Sequence, residues 1–135
     1  MEIASGLDYV KKNSRAILAT QRKDGTPQMS PVTLAVVNET IVMSTRETAI
    51  KTWNLRRSPT SWLCVFPDKW LGHWVQLTCT ATVISQPDAM EQLVSYYRTL
   101  NGEHPDWDDY RRAMALDQRC MIHFKIESVG PDKQG

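Results

Sequence analysis

At 135 residues, 41% of them hydrophobic, the chain is long enough to bury a core without disulfide or metal staples. Its 16 Lys and Arg against 15 Asp and Glu leave a formal charge of +1 with both signs interspersed, which argues against nucleic acid or an anionic membrane as a partner. Met1–Lys12 lacks the apolar stretch of a signal peptide and no apolar run reaches membrane-spanning length, so a soluble cytoplasmic protein of one domain, residues 1–135, is expected.

Ile3, Leu7 and Val10 fall on one face of a short helix over residues 3–13. Ala16-Ile17-Leu18-Ala19-Thr20 is a compact strand, and Asp24-Gly25 supplies the turn of a hairpin. A second strand is expected from about Gln28 to Val37. Pro31 cannot donate to a ladder, which makes this strand an edge or a bulge with backbone left for another purpose. Asn38-Glu39 turns the chain into a third strand, through Ile41-Val42-Met43 to Ser44. A helix follows and stops before Pro59. Trp62, Cys64 and Phe66 alternate with Leu63 and Val65 in a fourth strand.

From Trp74 the alternation is clean. Val75, Leu77, Cys79, Ala81 and Val83 lie on one side, and Gln76, Thr78, Thr80 and Thr82 on the other. Pro87 opens a helix to about Leu100, with Met90, Leu93, Val94 and Tyr97 as its buried stripe. Asp106, Asp108 and Asp109 sit where carboxylates favour the start of another helix, to about Gln118. Cys120 to Ile126 is the sixth strand. Six strands without β-α-β alternation predict a mainly β fold, an antiparallel barrel carrying helices.

The chemistry-bearing residues are sparse. His73, His104 and His123 are scattered without metal-ligand spacing, and no nucleophile elbow, P-loop or dinucleotide fingerprint is present. Cys64, Cys79 and Cys120 show no C-x-x-C spacing, so neither a disulfide framework nor a zinc site is expected. One stretch stands out, Ser44 to Pro59. Ser44-x-x-Glu47 has the spacing of a capping box, and the N–H groups of a helix start attract anions, phosphate above all. Lys51, about two turns in, and Arg46 put positive charge at the same mouth. An ordinary capped helix with a solvated basic face explains the same residues.

The succession A-I-L-A-T (16–20), D-G-T-P-Q-M-S-P-V-T (24–33), S-T-R-E-T-A-I-K-T-W-N-L-R-R-S-P (44–59), the long strand from Trp74 and G-E-H-P-D-W-D-D-Y (102–110) resembles the split β-barrel flavin and deazaflavin oxidoreductases. This is the pyridoxamine 5′-phosphate oxidase-like group, and within it the short actinobacterial branch using the deazaflavin F420. The resemblance implies a six-stranded antiparallel split β-barrel of FMN-binding type and a homodimer with cofactor sites at the subunit interface. It also implies that Ser44, Thr45 and Lys51 hold the cofactor phosphate, with Arg46 adding charge. Gln28, Ser30, Pro31, Val32 and Thr33 would lie along the ring, and Trp74 near the ring or the tail. Where many relatives carry a second basic residue two positions before the lysine, this chain has Ala49.

The activity so implied is hydride transfer from reduced F420 to a small conjugated substrate, with the cofactor carrying the chemistry. FMN presents a phosphate to the same residues, so an FMN-dependent oxidase or reductase is the alternative. A non-catalytic protein holding a flavin, haem or deazaflavin is a third reading.

Overall fold

The protein is described over residues 1–135 by a computed structural model. Four helices, α1 (Ile3–Lys12), α2 (Ile50–Arg57), α3 (Met90–Asn101) and α4 (Trp107–Leu116), accompany seven strands. These are β1 (Arg15–Gln21), β2 (Pro27–Thr33), β3 (Ala35–Val37), β4 (Thr40–Arg46), β5 (Thr60–Val65), β6 (His73–Ile84) and β7 (Arg119–Gln134). Every pairing is antiparallel, in the order β2-β1-β5-β6-β7-β4-β3.

That order dictates the shape. The two edge strands, β2 and β3, are consecutive in the chain and joined by Leu34 alone. In a flat sheet of this width the edges would stand roughly 30 Å apart, at ~4.8 Å per strand. One residue cannot span that gap, so the sheet curls until its edges meet. The product is a split antiparallel half-barrel with helices, as expected from the sequence. The expected count of six strands becomes seven because the segment from Gln28 to Val37 is not continuous. It leaves β1 at Thr33, turns inward at Leu34, and pairs with β4 from Ala35.

The local chemistry of the turns agrees. Gly25 takes φ +86°, and Asp24 Oδ1 accepts from the Thr26 N–H at 3.0 Å. Asn38 and Glu39 both have positive φ in the two-residue turn between β3 and β4. Asp106 caps α4 by accepting from the Asp109 N–H at 3.1 Å. The final strand runs beyond Ile126 to Gln134, along β6.

Leu18, Leu34, Met43, Leu63, Leu77, Ile122 and Phe124 fill the barrel. On its outer face, Val42 and Met121 meet Leu93, Val94 and Tyr110, which docks α3 and α4 against β4 and β7. Cys79 and Cys120 are buried, and burial pushes their thiols up to about 12 and about 11, which leaves them as small hydrophobes.

Leu34 is fully buried at the corner that closes the sheet, and its N–H donates to the Ser14 carbonyl at 2.6 Å. Leu34→Ala lowers the free energy of unfolding by about 2–5 kcal/mol, measured by urea titration. A loss well below that range would mean that the corner is not packed.

Candidate anion-binding site

The corner between β4 and α2 is built differently from a capping box. Ser44 pairs with Met121 inside β4, which continues to Arg46, and α2 begins only at Ile50 after Ala49 as N-cap. No side chain caps it. Glu47 instead forms an ion pair with Arg56 at 2.6 Å, and its N–H reaches the Gln118 carbonyl at 2.9 Å. Thr52 Oγ1 donates to the Arg46 carbonyl at 2.7 Å and locks the turn. Lys51 therefore lies in the first helical turn, not two turns in. The N–H groups of Thr52 and Trp53 return to the Ala49 carbonyl at 3.0 and 3.3 Å. Those of Thr48, Ile50 and Lys51 have no backbone partner, as at any open helix start.

This corner floors a cavity of about 670 Å³. Ser44, Thr45, Arg46 and Lys51 come from the corner, Pro31, Val32 and Thr33 from the edge strand β2, and Arg15, Ala16 and Phe66 from the far wall. Ser30 borders it through Lys51, whose Nζ donates to Ser30 Oγ at 3.4 Å. Two expected residues stand elsewhere. Gln28 is engaged on its own hairpin, its Oε1 accepting from Thr20 Oγ1 at 3.1 Å. Trp74 lines a neighbouring apolar cavity of about 490 Å³ with Trp70 and Leu71, and its Nε1 donates to the Gly135 carbonyl at 3.3 Å. Phe66 is shared by the two cavities.

Four cations and no carboxylate line the larger cavity: Arg15, Arg46, Lys51 and Arg119. In a chain of net charge +1 this is a strong local concentration. Arg46 and Arg119 are direct cross-strand partners, an arrangement that ordinarily repels. Asp117 relieves it from behind, accepting from Arg46 Nε at 2.9 Å and from Arg119 Nε at 2.7 Å. Both arginines thus use Nε on Asp117 and keep their terminal nitrogens for another anion. Arg15 pairs with Asp68 at 3.1 Å. Lys51 has no carboxylate partner, and burial together with the Arg119 guanidinium holds its ammonium below the ordinary lysine range. The inner set of Lys51, Arg46, Arg119 and Asp117 carries a surplus of positive charge, which a phosphate would neutralise.

Tyr96, from α3, completes the wall. Its hydroxyl donates to the Thr33 carbonyl at 2.8 Å, where β2 leaves β1. Burial pushes the phenol up, against the opposing influence of the Ser44 N–H and Arg119, so it is a neutral donor at ordinary pH.

The pyridoxamine 5′-phosphate oxidase family matches residues 7–131. The chain belongs to that family. Among solved structures, this family member resembles the conserved hypothetical protein Rv2991 from Mycobacterium tuberculosis, with a TM-score of 0.77 and 23% identity over 96% of this chain and 82% of that one. It resembles an F420 reductase with a TM-score of 0.70 and 17% identity, over 91% of this chain and 94% of the other. HutZ, the haem storage protein of Vibrio cholerae, aligns with a TM-score of 0.70 and 14% identity, over 98% and 96%. At these identities the likenesses establish the fold.

Arg15, Tyr96 and Arg119 escaped the sequence reading. Arg119 carries no local signal, since it joins the site only through the β4–β7 register. Tyr96 adjoins Tyr97, the tyrosine assigned to the helix stripe, and the docking angle of α3 decides that Tyr96 reaches the cavity.

Two measurements follow from the unpaired charge. Lys51→Met weakens binding of a phosphorylated flavin or deazaflavin by about 1.5–3 kcal/mol, roughly 10- to 150-fold, in a fluorescence titration. The same variant raises the urea midpoint of the unliganded protein, because it removes the repulsion with Arg119; a lowered midpoint would contradict this. The pH dependence has a definite sign. With the folded-state pKa of Lys51 below its unfolded value, the unfolded chain binds more protons between the two values, and stability gains from this group as pH rises through that window. A bound phosphate favours the ammonium, so binding in the same window takes up a proton. Calorimetry in two buffers of different ionisation enthalpy detects it, and proton release would contradict the assignment.

Proposed function

We propose that this protein is an F420-dependent reductase of the cytoplasm, acting on a small molecule with an electron-poor conjugated double bond. The observation that carries the reading is Lys51, half-buried beside Arg119 without a carboxylate, in a cavity whose other wall is an edge strand. The residues present fit a phosphorylated ring cofactor. Ser44, Thr45, Arg46, Lys51 and Arg119 would hold its phosphate. Pro31, Val32 and Thr33 would line its ring with the backbone of β2, which has no neighbouring strand on that side. Reduced F420, when bound, supplies a hydride. The contribution of the chain is to bind, to orient one ring face, and to keep water from it with Phe66 and Ala16. The likeness to an F420 reductase supports the deazaflavin over FMN.

The reading includes a homodimer whose second copy covers the open side of the cavity. Supporting it, Met29, Ile50 and Trp53 are 64%, 63% and 58% exposed on the elements that frame the site, and Trp70 and Leu71 are 83% and 61% exposed nearby. Light scattering after size exclusion should give twice the 15.4 kDa of one chain; a monomer at micromolar concentration would rule the dimer out.

Function is tested by titrating the purified protein with F420 and with FMN, then following consumption of reduced F420 over a panel of enones. Binding of F420 with turnover of at least one acceptor is the expected result. A protein that is yellow with FMN from purification and indifferent to F420 would replace the deazaflavin reading with a flavin enzyme. Binding without turnover would favour a carrier.

A further inference from the structure

Tyr96 stands where a strand pairing stops. β3 runs against β4 through Val37 with Thr40, Val36 with Ile41 and Ala35 with Val42, and the pairing ends there. Carried on in the same register, Thr33 would face Ser44 and Pro31 would face Arg46. In an antiparallel ladder every second pair exchanges hydrogen bonds, and the pair closing a two-residue turn is one of them. Val37 and Thr40 close such a turn, so the bonded series would run through Ala35 and Val42 to Thr33 and Ser44, then to Pro31 and Arg46. Leu34 agrees with this phase. Its N–H donates to the Ser14 carbonyl at 2.6 Å on the β1 side, which leaves the Thr33 carbonyl directed the other way.

Neither of the last two pairs forms, since β2 pairs only with β1. Pro31 has no N–H to give. Thr33 and Ser44 have every group they need, and a side chain stands between them. The Tyr96 hydroxyl donates to the Thr33 carbonyl at 2.8 Å. The Ser44 N–H bears on the same phenolic oxygen, opposing the upward push that burial gives its pKa. One hydroxyl is thereby inserted into the bond that would join the Ser44 N–H to the Thr33 carbonyl. The ring behind it is braced against both the barrel core and the cluster beneath α3 and α4. Thr33, Ser44 and Tyr96 all line the large cavity.

We infer that Tyr96 is a positioning residue, a wedge whose hydroxyl keeps the seam between β2 and β4 unzipped and so sets the width of the anion cavity. The inference rests on the reading that this cavity takes the phosphorylated ring, and adds to it the group that holds the two walls apart. Without the hydroxyl, the Thr33 carbonyl and the Ser44 N–H are complementary and pair directly. That pairing draws β2 toward the corner at Ser44–Lys51 and narrows the space between them.

Tyr96→Phe removes only the oxygen. Tyr97→Phe, on the same helix but packed on Tyr110, is the control. Crystal structures of both unliganded variants show the seam, urea titrations give their stability, and fluorescence titrations with FMN and F420 report the cavity. In Tyr96→Phe the expected result is a direct bond from the Ser44 N–H to the Thr33 carbonyl, with the urea midpoint not lowered. Whichever of the two ligands binds wild type then binds this variant about tenfold or more weakly, while Tyr97→Phe keeps the open seam and binds within about twofold of wild type. A tyrosine that serves stability alone gives another pattern: an unpaired seam and a lowered midpoint, to the extreme of a chain that does not fold. That pattern would overturn the inference. So would a water in the hydroxyl's place with the strands unmoved, or a closed seam with undiminished binding. Because the seam is observed without ligand, the two readings separate. If wild type binds neither FMN nor F420, the cofactor reading falls, and a closed seam in Tyr96→Phe still sustains the wedge. If the seam of Tyr96→Phe stays open, the wedge falls whatever wild type binds.

Discussion

The single-residue link at Leu34 is the constraint on which the rest of this molecule depends. Because β2 and β3 form opposite edges of one sheet and are contiguous in the chain, the sheet has to roll until those edges meet. The rolling sets the β2 edge against the end of β4, where Tyr96 bridges to the Thr33 carbonyl and Lys51 reaches Ser30. A cavity with unpaired backbone on one side and a strand-to-helix corner on the other is a consequence of closure. The burial of Leu34 in the barrel holds it in place.

Charge is then collected at that corner against the ordinary preferences of folding. Arg46 opposite Arg119 on neighbouring strands is unfavourable, and Lys51 beside them adds to it. Asp117 neutralises only part of this. We read the surplus positive charge as a site for an anion from solution. The first turn of α2 carries no side-chain cap, which leaves its N–H groups open; a carboxylate there would occupy them and repel an anion. On that reading, stability given up by the unliganded protein would return on binding.

Much of the architecture was legible in the residues. The alternation from Trp74 to Val83 matches β6, Asp24-Gly25 and Asn38-Glu39 match their turns, and Asp106 caps α4. The corner at Ser44–Lys51 was located for a partly mistaken reason. The hydroxyl and carboxylate spacing suggested a capping box, but β4 extends through Ser44, and Glu47 turns to Arg56. The break at Leu34 was hidden because Gln28 to Val37 reads as one extended segment. Its only trace is the loss of alternation at the buried neighbours Leu34 and Ala35. Asp117 and Arg119 could not be read at all. Asp117 lies 71 positions from Arg46, and only the sheet register brings them together.

The claim at the centre is one of location: a phosphate seated at the β4–α2 corner. A crystal of the protein soaked with F420 or FMN, with the phosphorus located by its anomalous scattering, tests it most directly. The account predicts a phosphorus peak within charge-assisted hydrogen-bonding reach of both Lys51 Nζ and the Arg119 guanidinium. A ligand whose phosphorus lies beside Trp70 and Trp74, or a corner where a carboxylate of a second copy satisfies Lys51, would contradict it.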